Sequence, residues 1–181
     1  MPASAKPLFA QTWFNGLRSI LYASGFIAFF IWIALDLRTL DHNFSFVLSA
    51  SLVSVGFIVM VAGAALAISC IATFVVRGRG TPAIFDPPRQ FVAVGPYRYV
   101  RNPMYIGGLA LILGVAFSLR SISILLMTVV ATLAVHLLVT LYEEPTLKRK
   151  FDGPYENYLS TVSRWLPHAP RENSGAAPLR P

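Results

Sequence analysis

The chain has few residues that could bind a metal or form a disulfide. It has one cysteine among 181 residues, which excludes an intramolecular disulfide. Its three histidines, at positions 42, 136 and 168, do not have the spacing of metal ligands, so no metal is expected. Neither a P-loop nor a glycine-rich dinucleotide motif occurs. Any nucleotide-like cofactor must therefore bind without a Rossmann domain.

Charge is also scarce, because only 13% of the residues are charged, while 55% are hydrophobic and the mean hydropathy is +0.61. The apolar residues form four blocks without any charge, over residues 20–35, 44–76, 104–119 and 121–142. A helix of roughly 20 residues crosses a hydrocarbon core of about 30 Å. The blocks lack the alternation of barrel strands. We predict an all-α integral membrane fold with about four transmembrane helices.

The fifteen basic residues outnumber the eight acidic ones and give a net charge of +7. In a four-helix topology, thirteen of the fifteen lie on one side of the membrane. This asymmetry predicts that both termini and the segment between the second and third helices are cytosolic. We expect a multi-pass protein of a prokaryotic inner membrane. A nucleic-acid-binding surface needs no such alternation, so nucleic acid is not an expected partner.

The predicted organisation follows from these blocks. It comprises a cytosolic lead (1–17), two transmembrane helices (18–76), a region with the last two helices (77–167) and a disordered tail (168–181). The last two helices are joined around Arg120 with almost no loop, so they must form an antiparallel hairpin. The hairpin brings residues 101–105 close to Glu143 and Glu144.

Two further patterns concern packing. Small residues on the second helix predict faces for close helix contact, namely Ser54, Gly56, Gly63, Ala64 and Ala67. After Pro145 we expect two short helical pieces, broken near Gly153 and Pro154. Their apolar residues recur at helical spacing and suit a helix that lies on the membrane, namely Leu147, Phe151, Tyr155, Tyr158 and Val162.

The start of the third helix has the features of an anion site. Pro103 suits the first helical turn, and it disfavours the α region for Asn102. We expect the N–H groups of residues 104–106 to lack intrahelical partners. With Arg98 and Arg101 beside them, they suit a carboxylate or phosphate. The alternative is an ordinary capped helix whose arginines bind lipid phosphate.

Glu143 and Glu144 lie at the opposite dipole end, at the close of the fourth helix, where negative charge is unfavourable. Their partner is either an arginine, Arg98 or Arg101, or a cationic ligand. His136 lies two turns earlier on the same helix. Its side chain either packs through a hydrogen bond or lines a pocket, and the sequence leaves both roles open.

These residues resemble a known family. The motifs are Gly80-Thr81-Pro82, Asp86-Pro87-Pro88, the run from Gly95 to Gly107, Glu143-Glu144-Pro145 and Arg164-Trp165. Together they resemble the isoprenylcysteine carboxyl methyltransferase and phospholipid methyltransferase family. The similarity covers about residues 77–167.

The resemblance implies an enzyme that uses S-adenosylmethionine at the cytosolic membrane face. It implies these cofactor-binding residues: Tyr97, Arg101, Asn102, Pro103, Met104, Tyr105, Gly107, Glu143 and Glu144. The catalytic candidates are Arg98, Arg101 and Glu144, and the substrate-binding candidates are His136, Tyr155, Tyr158 and Arg164. The implied partners are membrane lipids and a lipophilic or lipidated acceptor, with either an isoprenylcysteine-like carboxylate or a phospholipid amine.

Two alternatives remain open at this stage. One is an NADPH-dependent enzyme like the sterol reductases, which share a related membrane domain. The other is a non-catalytic membrane protein whose arginines bind anionic lipid. Binding of the methyl donor, of NADPH or of neither separates the three hypotheses.

Overall fold

The computed structural model describes residues 28–44, 47–73 and 93–168, together with the single positions 17, 21, 25 and 76. This part of the chain is helical and contains no strand. The elements are helix α1 (28–38), a 3-10 turn Thr39–Asn43, α2 Leu52–Thr73, a 3-10 turn Gly95–Arg98, α3 Pro103–Ser118, α4 Ile122–Leu138, a π-helical turn Val139–Glu143 and α5 Glu144–Thr161. The predictions for residues 1–16, for the motifs within 77–92 and for residues 169–181 lie outside the described residues.

Two helical segments of the described chain are long and apolar enough to cross a membrane. They are Leu52–Thr73, with 22 residues, and the continuous segment Ile122–Phe151, with 30. Helix α3 has 16 residues and spans about 24 Å, which is short of a full crossing. The all-helical membrane fold is therefore supported, whereas the predicted number of four transmembrane helices is not confirmed.

Helices α2 and α3 run antiparallel and touch through their backbones. A Cβ atom added to Gly63 would lie 2.6 Å from the Gly107 carbonyl oxygen. Likewise, a Cβ atom added to Gly114 would lie 2.6 Å from the Gly56 carbonyl oxygen. Only glycine leaves room for such an approach. The predicted close packing of α2 is confirmed at Gly56 and Gly63, and it fixes the position of α3 along α2.

Helices α3 and α4 form the predicted antiparallel hairpin. The chain reverses at Arg120, which has a positive φ of 55°, and the Ser121 N–H donates to the Ala116 carbonyl at 2.9 Å. Ala116 and Ile124 are buried on either side of the turn and pack with Ala34 of α1. The hairpin therefore aligns the start of α3 with the end of α4.

Helix α5 differs from the prediction in two respects. It is one helix, not two, and Pro154 lies inside it. Its apolar stripe does not face outward, because Tyr155, Tyr158 and Val162 are buried and pack with Ala93. Proline removes one intrahelical hydrogen bond, but Pro154 is on the exposed side, and buried contacts on both sides of it keep the two halves in line.

Candidate functional site

The loop before α3 sets the backbone of the site. Asn102 has φ −119° and ψ 50°, outside the α region, and Pro103 is the first helical residue, as predicted. The prediction was wrong for Ile106, whose N–H donates to the Asn102 carbonyl at 3.1 Å. For the N–H groups of Met104 and Tyr105, the described residues supply no backbone acceptor outside the helix. These two donors remain at the start of α3.

The π-helical turn Val139–Glu143 places the two glutamates side by side against α3. The phenol of Tyr105 donates to the Glu143 carboxylate, and Arg101 Nη1 lies 2.9 Å from Glu144 Oε1. This contact confirms the predicted proximity of residues 101–105 to Glu143 and Glu144. A π turn adds a residue to the helical repeat and frequently occurs at functional sites. Here it allows consecutive residues to reach Tyr105 at the start of α3 and Arg101 in the loop before it.

Glu144 is the centre of a three-residue ion-pair cluster. Besides Arg101, it accepts two hydrogen bonds from Arg164, at 2.8 Å from Nε and 2.7 Å from Nη2. The side chains of Arg101 and Glu144 are each only 14% exposed, so water screens their interaction weakly. The hydrogen bond from Arg164 to Glu144 raises the pKa of Arg164. The predicted alternative in which an arginine pairs with the glutamates is therefore observed for Arg101 and Glu144. The second partner, Arg164, was not predicted to contact Glu144.

Arg164 reaches this cluster because the C-terminal strap, residues 162–168, runs back along the loop before α3. The Arg101 N–H donates to the Ser163 carbonyl at 2.9 Å, and the His168 N–H donates to the Tyr99 carbonyl at 3.1 Å. The Asn102 side-chain amide also donates to the Arg164 carbonyl at 3.2 Å. These contacts fix Arg101 and Arg164 on the same side of Glu144. The Arg164-Trp165 pair was part of the family resemblance, but the strap itself was not predicted from the sequence.

Three tyrosines beneath the strap are buried. The Tyr158 phenol donates to the Tyr97 carbonyl at 2.7 Å, which ties α5 to the 3-10 turn before α3. Burial raises the pKa of Tyr97 and that of Tyr158. Burial, followed by the negative charge of Glu144, raises the pKa of Tyr155 to about 12. These phenols stay neutral near pH 7 and act as hydrogen-bonding groups; substrate contact by Tyr155 and Tyr158 stays a prediction.

Three predicted site residues lie away from the glutamates. Arg98 is exposed, and it has no ion pair or hydrogen bond through its side chain within the part of the chain that the structure describes. His136 accepts a hydrogen bond from Trp165 Nε1 at 3.1 Å, in agreement with the packing role that was one of its two predicted roles. Gly107 faces α2, where a Cβ atom would lie 2.9 Å from the Ala67 nitrogen. Cofactor or substrate contact by these residues stays a prediction.

An open cleft of about 440 Å³ lies beside the ion-pair cluster, with a volume within the range of small-molecule sites. Its lining includes Arg101, Val162, Arg164, Leu166 and His168. Arg101 Nε is buried and has no hydrogen-bond partner among the described residues. A buried guanidinium N–H without an acceptor is costly, so it is a donor available to a bound anion.

Comparison with known proteins gives one match. The family model for phospholipid methyltransferase matches residues 51–153, which is more than half of the chain and includes both the Arg101–Tyr105 loop and the two glutamates. Searches of the curated proteins and of the solved structures gave no significant match. The strap and Arg164 lie beyond the matched range. The matched range covers α2 to the first half of α5, and the chain belongs to the phospholipid methyltransferase family.

Proposed function

We propose that this membrane methyltransferase transfers a methyl group from S-adenosylmethionine to a phospholipid amine at the membrane surface. The observation that carries the proposal is the contact of Arg101 and Tyr105, at and just before the start of α3, with Glu143 and Glu144, where the π turn meets α5. All four residues lie inside the range matched by the phospholipid methyltransferase family. The specific donor and acceptor are inferences from this chemistry.

The residues present fit the amino-acid end of S-adenosylmethionine, which carries a carboxylate and an ammonium group. Arg101 Nε and the N–H groups at the start of α3 are donors for the carboxylate. The ammonium group of the cofactor would share the Glu144 carboxylate with the two arginines. When bound, the cofactor supplies an electrophilic methyl group on its sulfonium.

The choice of an amine acceptor rests on Glu143. Glu144 binds two arginines, whereas the contact that the structure gives Glu143 is the neutral Tyr105 phenol. A lipid ammonium group can therefore bind Glu143 without displacing an arginine. Before methylation the ammonium must lose a proton, and in this proposal Glu143 accepts it, although Glu144 was the glutamate named as a catalytic candidate. An isoprenylcysteine-like carboxylate would instead meet the Glu143 carboxylate, whose described contact is a neutral phenol and not an arginine.

Positioning accounts for most of the catalysis that this site could provide. Methyl transfer is a direct displacement, so holding donor and acceptor in line is the main requirement. The strap and the α2–α3 glycine contact fix the two halves of the site relative to each other. The exposed apolar side chains of α4, such as Leu133, Leu137 and Leu141, suit contact with lipid, so the acceptor can approach from the bilayer. In the orientation that the basic residues predict, this end faces the cytosol.

A transfer assay tests the proposal directly. The purified protein is incubated with S-adenosylmethionine carrying a labelled methyl group and with phosphatidylethanolamine, and the labelled lipid is identified by mass spectrometry. We expect label on the headgroup nitrogen. Glu143→Gln should reduce the rate at least about a hundredfold, because general-base contributions are of that order. Glu156→Gln is the matched control, because Glu156 is an exposed acid on α5 that pairs with Lys148 away from the site.

The outcomes separate the alternatives. Label on an isoprenylcysteine carboxylate and not on the amine would overturn the acceptor. Stabilisation by NADPH with none by S-adenosylmethionine would favour the reductase hypothesis, and stabilisation by neither would favour lipid binding without catalysis. Equal rates for Glu143→Gln and Glu156→Gln would overturn the role of Glu143.

A further inference from the structure

We infer that the first exposed turn of α5, formed by Lys148, Arg149 and Lys150, binds the headgroups of anionic phospholipids. We call these three residues the basic turn. The inference rests on the membrane placement proposed above, but it uses none of the residues assigned to methyl transfer. It concerns a second lipid contact, outside the cleft.

The position of the basic turn along one continuous helix places it at headgroup depth. The helical segment starts at Ile122, directly after the polar turn at Ser121, and continues through α5. Twenty residues at about 1.5 Å each span the core of about 30 Å and end near Leu141. The basic turn begins seven residues later, about 10 Å beyond the core. Headgroup regions are several ångströms thick, and long basic side chains can reach back towards them.

Exposure along this segment follows the expected order of environments. Leu137, Leu141 and Tyr142 are 54%, 74% and 55% exposed, as suits lipid tails followed by an interfacial aromatic ring. Farther along the helix, all three residues of the basic turn are also exposed. The acidic residue Glu156 comes two turns farther from the core, where it pairs with Lys148 at 2.8 Å. Among the exposed residues of this segment, the basic turn therefore lies nearer the membrane than Glu156 does.

The buried stripe of α5 fixes which way the basic turn points. Leu147 and Phe151 flank it in sequence and pack towards Tyr155, Tyr158 and Val162. Three consecutive residues cover about 200° of a helix, so the basic turn occupies the outer arc left by the stripe. A surface of this kind attracts anionic lipid, and each basic residue near such a membrane strengthens binding about fivefold.

The test compares lipids on the full chain in detergent, without methyl donor. The unfolding midpoint is titrated with short-chain phosphatidylglycerol and, separately, with short-chain phosphatidylcholine. Because Glu156 offsets part of the charge of Lys148, we count two full basic residues and expect phosphatidylglycerol to bind about 25-fold more tightly, and less so in high salt. K148Q/R149Q/K150Q should lose the preference. K148R/K150R keeps the charge and should retain it.

Three results would overturn the inference. The first is an undiminished preference for phosphatidylglycerol in K148Q/R149Q/K150Q, provided that its midpoint without lipid matches that of the parent protein. The second is equal stabilisation by inorganic phosphate, which would make the turn a site for free anions. The third is a chain that stays monodisperse without detergent and binds neither lipid, which would also remove the membrane placement. Loss of lipid preference with methyl transfer intact would separate this inference from the proposed function.

Discussion

The two ends of helix α4 each hold a carboxylate, but in opposite ways. At its start, Asp41 accepts a hydrogen bond from the Ser123 N–H at 2.9 Å. At its continuation into α5, Glu144 has no such donors and is held by two arginines from distant parts of the chain. One carboxylate complements the positive end of a helix dipole. The other lies inside a continuous helix, so the prediction that the fourth helix ends at Glu143 and Glu144 was wrong.

The difference indicates which end is built for stability and which for binding. At the start of α4, one short side chain satisfies a backbone donor, and nothing more is needed. At the other end, charges must be balanced by Arg101 and Arg164, which depend on the loop before α3 and on the strap. Arg101 Nε still lacks a partner there among the described residues. Groups that need partners from several segments can also accept a ligand, so only this end has the properties of a site.

Of the substitutions considered, replacing Glu144 with glutamine should have the largest effect on the free energy of unfolding and on donor affinity. It leaves Arg101 and Arg164 without their shared carboxylate, and breaking such a mostly buried cluster costs about 3 kcal/mol of the free energy of unfolding. Donor affinity should fall roughly tenfold or more. Unfolding in detergent and a donor titration measure the two effects. Glu156→Gln is the control, and equal stability of the two variants would contradict the central role given to Glu144.

Alanine substitutions in α3 test how much the close packing of α2 and α3 stabilises the fold at each end of α3. Gly107 lies near the site and Gly114 near the opposite end, and a Cβ atom at either would come within 3 Å of the α2 backbone. We expect Gly107→Ala and Gly114→Ala each to destabilise the fold by about 1–3 kcal/mol, because neither backbone can yield easily.

Gly108→Ala is the matched control for these variants, because a Cβ atom there meets nothing within 4 Å. It should stabilise α3 by up to about 1 kcal/mol, since alanine is the better helix former. Melting midpoints rank the three variants. The close packing of α2 and α3 would be disproved if Gly114→Ala were as stable as Gly108→Ala.

Asp41→Asn should weaken the opposite end without affecting the site. Burial acts to raise the pKa of Asp41, but hydrogen bonds with Ser121 and Ser123 outweigh it and hold the pKa below the ordinary value of 3.8. A carboxyl whose pKa is lowered by folding stabilises the protein fully above its ordinary pKa, and that stability is lost as the pH falls through the folded-state value. Asparagine keeps an acceptor oxygen but loses the negative charge at the positive helix end, so we expect a loss of up to about 1 kcal/mol at neutral pH. The difference from the parent protein should shrink below about pH 4, with donor affinity unchanged.

Much of the site could be predicted from the sequence, because it depends on local signals and one topological argument. Pro103 marks a helix start, the short connection at Arg120 forces a hairpin, and the hairpin brings Arg101 to Glu144. Each step uses sterics or chain length alone. The family match now covers the same residues.

The parts that were missed depend on tertiary packing that no short motif encodes. The stripe of α5 has the same periodicity whether it faces lipid or protein, and only the position of the tyrosines beneath the strap decides the matter. The same packing explains why Pro154 does not break the helix. Arg164 was predicted only as a substrate-binding residue. The backbone hydrogen bond that brings it to Glu144 joins Arg101 and Ser163, which are 62 positions apart. Long-range backbone contacts of this kind leave no periodic trace in the sequence.

The smallest expected effect is that of Trp165→Phe, and it compares two neighbouring residues of the strap. Arg164 binds a carboxylate that is mostly buried, whereas Trp165 donates to His136 at an exposed position, where water competes for the same groups. Phenylalanine keeps an aromatic ring beside His136 but loses the N–H donor and part of the ring area, and at this exposed position we expect a loss of about 0.5 kcal/mol or less. Arg164→Lys keeps the charge but cannot bind Glu144 with the same fork, and it should cost more than Trp165→Phe in both melting midpoint and donor affinity. If Trp165→Phe were the more damaging of the two, the strap would be held mainly at its Trp165 contact, and the ion-pair cluster would no longer explain its position.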